Sequence, residues 1–163
     1  MTTLLTESFY PPAPNPPEYT TDFGRGALFF KEIAFSCNAA GMAAAGAGIS
    51  KGHAGKRYKY GVLGPFAQHG VDSNFLFYNP DIPGAYPPFV NATVAAAVQE
   101  YIVTFATKGT PVSKTAGVSW EEYGGIGERK TLDWNPDGQN GFRMGTDLNG
   151  VERCDAVAKG LYF

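Results

Sequence analysis

The chain has 163 residues, 44% of them hydrophobic, and a formal net charge of −2, enough material for one domain and too little charge to hold the chain open. Its 13 Lys and Arg are scattered and outnumbered by 15 acidic residues, which argues against a nucleic-acid surface, and no apolar run reaches the ~18 residues of a membrane span. Leu, Ile, Val and Phe together make up only roughly a fifth of the chain, and Gly plus Pro another fifth, so it reads as a globular sequence with part of its core missing.

The opening residues, MTTLLTESFYPP, have neither the positive nor the apolar region of a secretory signal. Residues 8–19 hold five prolines and must be extended or turned. From Thr20 the pattern changes: Phe23, Ala27, Phe30, Ala34 and Cys37 mark one face of a helix, with Thr21 or Asp22 placed to cap it. An Ala-rich run continues it to Gly46, Gly48 and Gly52. Arg57 to Leu63, RYKYGVL, alternates and is aromatic, which predicts a strand stopped by Gly64-Pro65. A loop, GPFAQHGVD, and a proline-rich stretch follow. Thr93 to Thr107 is the clearest helix, with Val94, Ala97 or Val98, Tyr101 and Phe105 on one stripe and Lys108-Gly109 closing it. Beyond Tyr123 the glycine content and the turn signals Pro136-Asp137-Gly138 and Asn140-Gly141 predict an irregular tail over 124–163. At most it holds a short hairpin with Phe142 and Met144 on one strand.

Asn91-Ala92-Thr93 is a glycosylation sequon, but Asn91 is equally a helix N-cap. Two cysteines, 37 and 154, permit one disulfide. Together with His53 and His69 they have none of the ligand spacings of a zinc site, so no metal is expected. Gly124-Gly125-Ile126-Gly127 fits neither phosphate-binding fingerprint, and no cofactor is expected.

Phe35-x-Cys37, RYKY, His69-Gly70-x-Asp72, the helix VQEYIVTFATKGTP and Trp120-x-x-Tyr123 occur in an order and spacing similar to the C-terminal region of fungal type-B carboxylesterases. These are relatives of cholinesterases and fungal lipases. The resemblance covers roughly residues 10–123, with Arg153-Cys154-Asp155 as an outlying match. It implies an α/β fold class, the C-terminal portion of an α/β-hydrolase, in which the catalytic His follows the last main strand. Carried over, that position is His69; His53 has no motif match. The resemblance also implies a Cys37–Cys154 disulfide, secretion, and a triad acid from an upstream strand, which leaves Asp72 as a brace of the loop.

General-base chemistry fits such a loop, because an imidazole must be projected toward a hydroxyl while a carboxylate holds its other nitrogen. Gly48-Ile49-Ser50-Lys51-Gly52 matches the nucleophile elbow in letters alone. An elbow needs a strand before the Ser and a helix after it, whereas Ser50 follows a helical run and precedes a strand. Only 19 positions separate it from His69, too few for the intervening acid. The expectation is therefore a single partial α/β-hydrolase segment over 1–163 that supplies the His of a Ser-His-acid triad. It would meet an ester substrate only when the rest of the fold is supplied, and the sheet neighbours of RYKYGVL would come from outside the chain. A non-enzymatic remnant and a secreted interaction protein are the competing readings.

Overall fold

The computed structural model describes residues 4–45, 55–124, 129–139, 141–147 and 151–159, which form a mixed α/β arrangement of helices and one three-stranded sheet. They fall into two compact units: a helical unit, residues 1–49 with 148–163, and a sheet unit, residues 50–147.

In the helical unit, Thr21 starts the first helix by accepting the Gly24 amide at 3.1 Å on its hydroxyl, which satisfies one of the free donors of the first turn. Helix α1 (Asp22–Lys31) runs through a π-helical turn (Glu32–Ser36) into α2 (Cys37–Ala45). At the turn the Cys37 amide reaches back five residues to the Glu32 carbonyl. The Asn38 side-chain amide donates to the Ile33 and Ala34 carbonyls, each at 3.1 Å, so the altered ladder does not leave them bare. The helix expected over 23–37 is thus present with one residue inserted.

A last helix, α5 (Val151–Ala158), packs on this first one, and two features hold it there. Cys154 is disulfide-bonded to Cys37, with Cα atoms 4.9 Å apart. Its neighbour Arg153 forks onto Glu32, Nε to Oε2 at 2.7 Å and Nη2 to Oε1 at 2.8 Å, and Nη2 also donates to Glu18 Oε1 at 2.7 Å. Glu32 is buried and also accepts the Tyr10 hydroxyl at 2.6 Å. Glu32 above all, then Glu18, holds the guanidinium further above its ordinary range. A charge taken this far from water must be paired on every side.

In the sheet unit the strands are β1 (Tyr60–Val62), β2 (Lys130–Trp134) and β3 (Phe142–Thr146), in that order across the sheet. Strands β1 and β2 are parallel, with Tyr60 opposite Leu132. Parallel neighbours need a long crossover, here the short helix α3 (Ser73–Leu76) and α4 (Ala92–Lys108). Strands β2 and β3 form an antiparallel hairpin with Trp134 opposite Phe142. The core lies on one face: Tyr60, Val62, Leu132, Trp134, Phe142 and Met144 pack with Val94, Val98 and Tyr101 of α4 and with Phe75 and Trp120. Alternation along each strand puts these six on the same side.

Two expectations need correction. RYKYGVL finds a partner within the chain, because β2 lies beside it. The 124–163 tail is not irregular throughout, since it contributes β2, β3 and α5. The hairpin carries Phe142 and Met144 on its apolar face, and α5 spans only 8 residues. Its order comes from the covalent and ionic ties above, which sequence periodicity does not display.

Helix α4 follows its expected stripe through Val94, Ala97, Val98 and Tyr101, all buried, while Phe105 is 40% exposed and edge-on to Tyr58. Gly109, at φ 69°, closes the helix in the left-handed conformation a glycine tolerates best. Asn91 is the N-cap: its Oδ1 accepts the Thr93 and Val94 amides at 2.9 and 3.2 Å, and its Nδ2 donates to the Asp137 carbonyl at 3.4 Å. Removing this cap by Asn91→Ala is expected to cost about 1 kcal/mol, read as a lower urea midpoint at unchanged slope. An unchanged midpoint would refute the capping role.

Candidate active site

His69 lies between the end of β1 and α3. Leu63, just past β1, donates its amide to the Trp134 carbonyl at 2.9 Å, keeping the chain on the sheet before Gly64 turns it away at φ 87°. A β-turn over 68–71 follows, closed by the Val71 amide on the Gln68 carbonyl at 3.1 Å. Gly70 holds its third position at φ 77°, a left-handed conformation that costs glycine little. His69 occupies the second position, a corner, and is exposed.

Asp72, three residues on, is engaged on both carboxylate oxygens. Oδ1 accepts the Ser73 amide at 3.1 Å as the cap of α3, and Oδ2 accepts the Tyr60 hydroxyl at 2.5 Å. Burial first, then the hydrogen bond and charge of Asp72, push the Tyr60 phenol above its ordinary range. The pair lies in an apolar cleft with Leu76, Val98, Trp120 and Trp134. Tyr101, in the same cleft, donates to the Val118 carbonyl at 2.5 Å and is pushed up to about 12 by burial and by the nearby Glu100 charge. The partnership of Tyr60 and Asp72 was not read from sequence. Its only signal was the alternation of RYKYGVL, which puts Tyr60 on the apolar face.

Lys59 and Gly61 alternate with Tyr60 and face the other way. The Lys59 ammonium pairs with the buried Asp147 carboxylate, which Tyr123 also approaches with its hydroxyl at 3.4 Å. Asp133 on β2 sits where a side chain on Gly61 would touch it at 2.8 Å, and one on Gly145 closer still. Burial raises its carboxyl above the usual range. Glycines on both neighbouring strands thus make room for a carboxylate above the sheet.

Ser50 and His53 lie outside the described residues. Among the described residues no group of three or more His, Cys, Asp or Glu gathers as a metal site, and no helix is long and apolar enough to cross a membrane. No family model, no curated protein and no solved structure matches the chain.

Proposed function

We propose that this chain is the base-bearing segment of a secreted carboxylic ester hydrolase of the α/β-hydrolase fold. His69 takes the proton from a serine hydroxyl during acylation, returns it to the leaving alcohol, and then activates water for deacylation. The observation that carries this reading is the exposed corner position of His69 on the loop that follows strand β1, a loop with Gly64 and Gly70 at positive φ. Asp72 accepts from Tyr60 and Ser73, in keeping with a brace of the loop, and in this reading the acid that orients the imidazole and the nucleophile both come from elsewhere. Two further features support it. Among the described residues strand β1 pairs on one side only, an edge to which a larger sheet can add. The Cys37–Cys154 bond is of the kind that persists in oxidising compartments.

The chain alone is expected to hydrolyse p-nitrophenyl acetate at the background rate, with Ser50→Ala and His69→Ala unchanged. Joined to an in-frame upstream stretch carrying a Gly-x-Ser-x-Gly elbow, it should turn over, and His69→Ala should then remove several orders of magnitude of rate. Saturable turnover by the chain alone that Ser50→Ala abolishes would overturn the reading, as would a joined enzyme indifferent to His69→Ala. A second reading, an interaction protein, is favoured by the apolar side chains that α1 and α2 expose, Phe23 at 87% and Met42 at 73%.

A further inference from the structure

We infer that Tyr60 is a positioning residue for the His69 turn: its hydroxyl, on the Asp72 carboxylate, ties the exposed turn to strand β1. The inference rests on the proposed role of His69 and adds to it the part that fixes the imidazole in space.

The tie can be followed bond by bond. The Tyr60 ring packs edge-on to Trp120 at 6.1 Å and tilted to Trp134 at 6.5 Å, so the direction of its C–O bond is set by two indoles. The hydroxyl meets Asp72 Oδ2 at 2.5 Å, Asp72 Oδ1 accepts the Ser73 amide, and the Ser73 hydroxyl donates to the Gly70 carbonyl at 2.6 Å. One covalent step further is His69. On the other side the turn is anchored through Leu63 on Trp134 and the Ala67 amide on the Gly64 carbonyl at 3.1 Å. An exposed turn would otherwise wander among conformations, and a base must be held within a fraction of an ångström of its working geometry. A phenol donating to an ionised carboxylate is a strong link for that purpose. Burial and the neighbouring carboxylate raise that phenol above its ordinary range, which favours its donor form.

The test is amide hydrogen exchange by NMR on the whole chain, which needs no ester turnover. Tyr60→Phe keeps the ring and removes the link; it should speed exchange at Val71, Asn74 and Phe75 by about tenfold while Ala95 to Tyr101 in α4 keep their protection. Asp72→Asn leaves one carbonyl oxygen for two donors, so it breaks either the phenol link or the Ser73 cap and should also speed exchange at those amides, by about threefold or more. Val98→Ala, in the same cleft, should leave the turn amides as slow relative to α4 as before. The inference is overturned if Tyr60→Phe leaves the turn amides within about twofold of the parent, or speeds α4 equally. Either result would leave the role of His69 to the ester assay, and a failed ester assay would leave the tie intact.

Discussion

Replacing Arg153 with methionine is expected to destabilise the helical unit by about 3–5 kcal/mol, because removing one partner of a buried pair strands the other. Glu32 is 1% exposed, and without Arg153 only the Tyr10 hydroxyl among its described hydrogen bonds would remain. A carboxylate so placed must stay charged at high cost or take up a proton. Urea unfolding followed at the helix band, with amide exchange in residues 22–45 to assign the loss, measures it. A change below about 1 kcal/mol would mean that water reaches Glu32 and that the pair is a surface contact. The double variant Glu32→Leu, Arg153→Leu should be milder than Arg153→Met alone, since it removes both charges together.

Loss of the Cys37–Cys154 bond has an expected effect of similar size. The bond spans 117 positions, and the chain-entropy model gives about 4–5 kcal/mol for a loop of that length as an upper estimate. Cys37→Ala with Cys154→Ala, compared with the oxidised parent by urea unfolding, should lower stability by roughly 2–5 kcal/mol. Midpoints that coincide would show that the bond constrains nothing. The bond and the Arg153 fork grip the same two helices from adjacent residues, so their effects should not add; a cycle between the two changes should show coupling of about 0.5–3 kcal/mol.

Local chemistry was readable in the sequence and long-range pairing was not. Helix α4 could be read because Asn91, the apolar stripe to Tyr101, and Lys108-Gly109 all state one helix within 19 residues. The first helix announced itself through Thr21 and the spacing from Phe23 to Cys37, and the hairpin through Asn140-Gly141 and the alternation after it. Strand β2 went unread: KTLDW alternates over only 5 residues, and its parallel partner lies about 70 positions away across a crossover that no local pattern encodes. Helix α5 spans only 8 residues, too short for its apolar positions to display a helical period. Of the candidate site, the exposed His69 turn could be foreseen from Gly64 and Gly70, whereas the Tyr60–Asp72 contact depends on how the turn folds back over β1.

The π-turn at Glu32–Ser36 works as a vernier between the two ties on α5. In an uninterrupted α-helix, positions five apart diverge by about 140° around the axis, so Glu32 and Cys37 would look in different directions. The wider turn, closed by the Cys37 amide on the Glu32 carbonyl, brings residues five apart back toward one azimuth. That shared azimuth lets a carboxylate and a sulfur on one helix meet consecutive residues, Arg153 and Cys154, on another. Deleting a single residue between 32 and 36 would leave carboxylate and sulfur four apart in an ordinary α-helix, about 40° in azimuth, and keep both ties. Straightening the turn with all its residues in place would set them about 140° apart, so that closing the disulfide and pairing Glu32 would become alternatives.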